Sequence, residues 1–299
     1  MQHGFLITAY RDIEGLLALI ADLGPEAHVF VHLDRKALLS KSELDHVKAL
    51  PTLRFLSRRY AVNWGSRDHL LSIIELARAA AKDERIDYLH AISGSDRPLV
   101  PWFEFNTFFE RNGGSEFIEH FPLPTRYWNG GGLDRLTLYH PLDLLDVRTP
   151  HQKRSLDLLL MMQGKLGVRR SLRGLPPLFG GSTWWSLSRA CVSHLLKGSD
   201  SNPGYLRRFR HSHVPEEVFF QTLIMASPFA KHVVNDNLRY VDWVARNGNK
   251  PAVLDLSDLD KVLASGKLFA RKLMQPTSQG LIDALREHIR RPHERPHME

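Results

Sequence analysis

Along the first third of the chain, short apolar runs alternate with longer stretches of helical periodicity. The run 4–10 (GFLITAY) is almost continuously apolar and predicts a short buried strand. Residues 12–24 (DIEGLLALIADLG) repeat their apolar positions at helical spacing and end on Gly24, a fitting C-cap. Strand-like runs follow at 28–34 (HVFVHLD) and 53–57 (LRFLS). A helix over 65–83 opens at Ser66, and a strand over 87–93 (DYLHAIS) leads into a turn, GSDRPL. This alternation predicts an α/β fold with a largely parallel sheet. Ligands of such sheets bind beyond the carboxyl ends of strands. Asp34 and Asp96 stand just after two predicted strands. Aspartate also suits turns, so both roles are open for each.

The middle is less regular. Residues 125–136 (TRYWNGGGLDRL) form a glycine-containing loop with basic and aromatic residues, Arg126 among them. Three consecutive glycines match neither a P-loop nor a dinucleotide fingerprint, so the segment reads as a flexible substrate loop or a linker. Residues 148–174 read as a basic helical stretch whose Leu and Met side chains are expected in the core rather than in contact with a membrane. Residues 179–196 join a glycine turn to an aromatic strand and a helix, and 237–243 (NLRYVDW) read as a strand. A short helix over 255–266 is expected to be capped by Ser257 and ended by Gly266. The run 268–273 (LFARKL) is apolar with two adjacent cations, and the polar, Pro-rich tail after Arg290 reads as disordered. The expected organisation is one domain over 1–275 and a C-terminal helix with a polar tail over 276–299.

Composition narrows the classes. With 43% hydrophobic residues over 299 positions the chain is globular. A formal net charge of +7 favours anionic partners. Its basic residues are dispersed among acids and no nucleic-acid-binding module appears, which argues against that class. One cysteine, Cys191, excludes an internal disulfide framework. No apolar stretch approaches the roughly 18 residues of a membrane span, and the start lacks a signal-peptide pattern. A cytoplasmic protein is expected, with peripheral contact at an anionic inner membrane face.

The candidate chemistry centres on 211–224 (HSHVPEEVFFQTLI). Pro215 suits a first helical turn, and the helix dipole favours Glu216 and Glu217 just behind it. That field keeps a carboxylate ionised but lowers its basicity, so a general base here would need desolvation. His211 and His213 could join either glutamate as metal ligands, but no His-Glu-x-x-His signature completes the set. Paired glutamates alone do not establish glycoside hydrolysis. Arg271 and Lys272 read either as a solvated pair or as a diphosphate clamp. Trp184, Trp185 and Trp243 could stack on sugar rings or pack in the core.

Several segments, in order, resemble the core-2/I-branching β-1,6-N-acetylglucosaminyltransferase family, which includes peptide O-xylosyltransferases. They are VHLDRK, VNWGSRDHLLSIIELAR, YLHAISGSDRPL, GLDRL, GGSTWWSLSR, VPEEVFFQTLI, NLRYVDW and LFARKL, within residues 5–273. The resemblance implies a GT-A-like nucleotide-sugar-binding fold with a central mixed, mostly parallel sheet flanked by helices. It implies an inverting transfer from a UDP-sugar with no cofactor and no obligatory metal, since members lack a working Asp-x-Asp motif and none is read here. Glu217 falls on the family's catalytic base, and Arg271 and Lys272 on its diphosphate-neutralising pair. Asp34 falls near the donor nucleoside, while Asp96 and Trp184 fall in motifs lining the donor and acceptor cleft. Trp185 and Arg126 join Trp184 as acceptor- or sugar-binding candidates. Arg246 falls near a further diphosphate arginine, with Lys250 as its rival. The animal enzymes carry an anchor, a stem and disulfides. Their absence here points to a bacterial-type enzyme with a glycan, lipid-linked or peptide acceptor. The rival classes are a non-catalytic sugar-binding relative and a basic nucleic-acid-binding protein.

Overall fold

The computed structural model describes residues 1–290, and the tail expected to be disordered lies outside them. In chain order the elements begin β1 (His3–Ala9), α1 (Ile13–Asp22), β2 (His28–Leu33), α2 (Lys41–Lys48), β3 (Leu53–Ser57), α3 (Arg67–Ala80) and β4 (Tyr88–Ser93). There follow β5 (Arg97–Pro98), α4 (Trp102–Arg111), β6 (Glu116–Ile118), β7 (Phe121–Pro122), α5 (Asp134–Thr137) and α6 (Pro150–Lys165). Next come β8 (Phe179–Gly180), β9 (Trp185–Ser188), α7 (Arg189–Ser201), α8 (Pro203–Arg208), α9 (Glu216–Met225) and β10 (Val233–Val234). The last are β11 (Arg239–Val241), α10 (Leu259–Leu263), β12 (Phe269–Arg271) and α11 (Gln279–Arg290).

The helix starts follow local chemistry. Asp12 caps α1, its Oδ1 accepting from the Gly15 amide at 2.7 Å. Ser66 stands at the N-cap of α3 but its side chain makes no capping bond. The expected cap at Ser257 is corrected. Asp255 accepts from the Ser257 amide at 3.0 Å and opens a 3-10 turn that runs into α10. The predicted turn at 97–98 is instead the short strand β5.

The chain divides into two compact units, where the sequence suggests a single domain over 1–275. The first comprises Met1–Arg11, Ala27–Ile92 and Gly114–Asn237. The second comprises Asp12–Glu26, Ser93–Gly113 and the described residues from Leu238 onward. Each unit is assembled from separate stretches of chain, so no single linker marks the division.

The first unit is built on a seven-stranded sheet ordered β10-β6-β9-β4-β1-β2-β3. β1, β2 and β3 pair in parallel, as do β10 and β6, while β9 runs antiparallel to both β4 and β6. This is the expected mixed, mostly parallel sheet flanked by helices. α3 contributes Leu70, Ile73 and Leu76 to its core, and α9 contributes Phe219 and Phe220. Both faces of α9 are apolar, so it is buried almost all round.

The second unit holds a three-stranded sheet, β11-β12-β5. Its core includes Leu99, Leu254, Ala270 and three residues of α11: Leu281, Ile282 and Leu285. The expected C-terminal helix is therefore part of this unit's core. Asp22 of α1 accepts from Arg286 of α11 at 2.8 and 3.1 Å, beside the buried Arg97.

One sugar-stacking candidate is removed by this packing. Trp185 lies on central strand β9, is fully buried and packs against Phe220 at 5.1 Å between ring centroids. Its indole fills the core and cannot reach a ligand. Trp185→Ala should therefore cost about 3–5 kcal/mol of stability, the usual range for emptying an aromatic core site. Urea unfolding checks this, and a variant with an unchanged midpoint would return Trp185 to the set of ligand contacts.

Candidate active site

The site of the first unit is set by a strained turn. His211 and Val214 hold left-handed backbone, with φ of 57° and 48°. For a β-branched valine that conformation is disfavoured, so it needs support from its surroundings. Two backbone bonds give it. The His213 amide donates to Arg135 O at 2.9 Å, and the Val214 amide donates to Gly65 O at 2.8 Å. Pro215 then caps α9, and its first turn presents Glu216 and Glu217.

The two neighbouring carboxylates meet different partners. Glu216 is buried, and its Oε1 pairs with His69 Nδ1 of α3 at 2.7 Å. His69 Nε2 in turn lies 3.3 Å from Thr8 Oγ1 on β1. The Trp184 ring meets His69 edge-on at 6.1 Å. Glu217 Oε2 accepts from Arg135 Nη1 at 2.7 Å. Its side chain keeps 22% of its surface open within dense protein surroundings. Burial pushes its carboxyl up to about 7, opposed by the Arg135 guanidinium and assisted by the Glu216 charge.

Arg135 is itself positioned. Its guanidinium lies 3.6 Å above the centre of the Trp128 ring. The three glycines that read as a flexible loop or linker form a 3-10 turn beneath that ring, with left-handed backbone at Gly130, Gly131 and Gly132. A Cβ on Gly132 would stand 2.5 Å from Trp128, and one on Gly180 would meet the same ring at 2.5 Å. Glycine at these positions leaves room for the indole, and the indole carries the arginine. Gly181 completes the frame, its amide donating to Glu217 O at 2.9 Å.

The histidines of the sequence motif are separated. His211 Nδ1 pairs with Asp143 at 3.0 Å, while His213 stacks on His140 at 5.3 Å. Burial brings His213 down to about 4. Among the described residues no three His, Cys, Asp or Glu side chains are grouped to hold a metal ion. The chain does hold one Asp-x-Asp sequence, Asp258-Leu259-Asp260. Asp258 is buried and bound by Arg246 at 2.5 Å, whereas Asp260 is exposed, so the two do not form a cation-holding pair.

Asp34 is buried after β2, where its Oδ1 accepts from the Lys36 amide at 2.8 Å. Arg126 is exposed and lies over the Tyr127 ring at 5.3 Å. The other candidates belong to the second unit. Asp96 is fully buried; its Oδ2 accepts from the Ser93 amide at 2.7 Å, and its Oδ1 has no hydrogen-bond partner. The pairing of β5 with β12 sets Arg97 opposite Ala270, the residues next to Asp96 and Arg271 in the chain. Lys272 Nζ donates to Asn249 Oδ1 at 3.0 Å, and Asn249 exchanges backbone bonds with Arg246. Arg246 is engaged by Asp255 at 2.8 Å, Asp258 at 2.5 Å and Asp242 at 3.7 Å. Those carboxylates occupy the guanidinium that aligned with a diphosphate arginine. Trp243 is 63% exposed.

Arg135 and His69 are not among the sequence candidates. Both lie in segments that carry the resemblance, GLDRL and VNWGSRDHLLSIIELAR. Only the fold shows that they pair with adjacent glutamates.

The raised carboxyl of Glu217 has a measurable cost. Between about 4.5 and 7 the unfolded chain loses this proton and the folded chain keeps it, so folded-state stability falls as pH rises through that window. Glu217→Gln removes the titration. Its stability relative to the wild type should therefore rise from pH 4 to pH 8 by about 3 kcal/mol, since each pH unit between the two proton affinities is worth about 1.36 kcal/mol. Urea unfolding across that range tests it, and parallel pH profiles for the two proteins would contradict the buried-carboxyl account.

Known proteins resemble the chain over most of its length. Xylosyltransferase oxt of Drosophila pseudoobscura pseudoobscura is 26% identical over 256 residues, covering 82% of this chain and 27% of that protein. Xylosyltransferase 2 of Canis lupus familiaris is 27% identical over 253 residues, with the same coverages of 82% and 27%. The chain thus spans 27% of the length of these curated relatives. A solved structure of S. aureus TarS 1-349 in complex with UDP-GlcNAc is 11% identical, with a TM-score of 0.28 over 40% of this chain and 34% of that one; a likeness this low carries no weight here. The model of the Core-2/I-Branching enzyme family matches residues 4–262, which takes in the sheet, the strained turn and the paired glutamates, and the chain belongs to that family.

Proposed function

We propose that the chain is an inverting glycosyltransferase that moves a sugar from a UDP-linked donor to a hydroxyl of a glycan, lipid-linked or peptide acceptor. The observation that carries the reading is Glu217: a largely buried carboxyl raised to about 7 and tied to Arg135. A base with that affinity is close to half ionised at neutral pH, where proton abstraction is most effective. Glu217 takes the proton of the acceptor hydroxyl. The acceptor oxygen forms a bond to the anomeric carbon, and the bond from that carbon to the diphosphate oxygen breaks. Attack opposite the leaving group inverts the centre.

Charge develops on the departing diphosphate. Arg271 and Lys272, matched to the family's basic pair, are assigned to neutralise it, in place of a metal. Asp34 and Asp96 are assigned to the donor. Trp184, whose edge meets His69, is assigned to the acceptor or sugar. Arg135 is a positioning residue: it orients Glu217 and limits how far burial raises it. The donor sugar is xylose or N-acetylglucosamine; the names of the relatives favour xylose, and the family resemblance admits both. A bacterial-type role in surface polysaccharide or glycoconjugate synthesis fits the same reading.

Glu217→Gln should fold and bind UDP-sugar but lose transfer by roughly 10²–10⁴-fold, the scale of general-base loss. Glu216→Gln, which keeps a hydrogen bond to His69, should be far milder. Radiolabelled sugar transfer to a panel of acceptors measures both, and full activity of the Glu217 variant sinks the assignment.

Transfer should also persist in excess EDTA. Activity that is abolished by chelation and restored by manganese would reassign the leaving-group role from Arg271 and Lys272 to a metal ion.

A further inference from the structure

Helix α6 has two apolar faces, and the fold uses one of them. Leu156 and Gln163 are buried on its inner side. Gln163 grips the backbone of Tyr139, accepting from its amide at 2.7 Å and donating to its carbonyl at 3.0 Å. On the outer side Leu158, Met161 and Met162 are 53%, 49% and 48% exposed, and Leu166 at the C-cap is 71% exposed. This corrects the expectation of core placement for these four residues, while Leu156 meets it. Helical periodicity places Leu158, Met161 and Met162 within an arc of roughly 100°.

The same arc carries charge of one sign. Arg154 stands one turn before Leu158, and Lys165 one turn after Met161; both are exposed. Exposed Arg169 and Arg173 follow in the segment after the helix. The acid at the edge of this face, Asp157, is already paired with Lys153 at 2.7 Å. An exposed apolar centre flanked by cations is the pattern of a helix that lies in a membrane interface. A second copy fits poorly, because opposed copies of this face set Arg154 and Lys165 against like charges in either orientation.

We propose that the outer face of α6, continued through residues 166–173, docks on an anionic phospholipid bilayer. Leu158, Met161, Met162 and Leu166 enter the headgroup boundary, and Arg154, Lys165 and Arg169 meet lipid phosphates. The surface rests on exposure and charge alone and is independent of the glycosyl-transfer reading. Net charge suggests peripheral membrane contact without giving it a place; the exposed arc of α6 gives it one.

Cosedimentation of the full chain with vesicles tests this, using phosphatidylcholine alone and phosphatidylcholine mixed with phosphatidylglycerol at roughly three to one. Binding is expected to the mixed vesicles, falling as salt rises. Arg154→Ala combined with Lys165→Ala should weaken it about 25-fold, the product of about fivefold per cation near an anionic surface. Leu158→Ser combined with Met161→Ser should weaken it at unchanged charge. Both pairs are exposed, so unchanged urea midpoints confirm that the fold is intact. No binding to mixed vesicles, equal binding to neutral ones, or variants that bind like the wild type would each overturn the proposal. A wild-type dimer in sedimentation velocity, dissociated by the serine pair, would overturn it too and give the face to a second copy.

Discussion

A carboxylate that is dried by the protein and yet held by a guanidinium is the constraint around which the first unit is arranged. Desolvation alone would keep Glu217 protonated at neutral pH. Full solvation would leave it a weak base. The Arg135 contact at 2.7 Å opposes burial, and the balance lies near 7. Such a balance is sensitive to position, because Coulomb energy in a partly buried site changes steeply over the first few ångströms. The supporting residues are therefore those that fix the distance between two side chains.

That explains features with no chemistry of their own. The left-handed turn at Val214 aims the first turn of α9, and its amides are tied to the segments that carry Arg135 and Gly65. The glycines at 132 and 180 leave room for Trp128, whose face holds the guanidinium. Glycine here serves close packing more than flexibility, since a methyl at Gly132 or Gly180 would collide with the indole. His69 plays the corresponding part for Glu216. Two adjacent carboxylates thus have separate cationic or hydrogen-bonding partners.

Much of this is legible in the sequence wherever one segment decides the outcome. The apolar run at 53–57 coincides with β3, and the helical periodicity at 12–24 contains α1. Glu217 stands out because a proline, two acids and an apolar run sit together. Its partner does not, because Arg135 lies 82 residues away and nothing local distinguishes it from other arginines. The apolar residues of α6 escape a sequence reading for a related reason: periodicity shows that two faces are apolar but not which has a neighbour. Trp184 and Trp185 illustrate the limit of resolution. Both are buried in the first unit's core, yet Trp184, just ahead of β9, meets His69 edge-on while Trp185 packs on Phe220, and composition treats them alike.

The ion pair between Asp22 and Arg286 joins residues 264 positions apart. α1 is made well before β11, β12 and α11 of the unit it belongs to. Until then Asp22 lacks the Arg286 guanidinium that it binds. The first unit, by contrast, has all the strands of its sheet by residue 234. A contact of this sequence separation is of the kind that slows folding and prolongs exposure to aggregation.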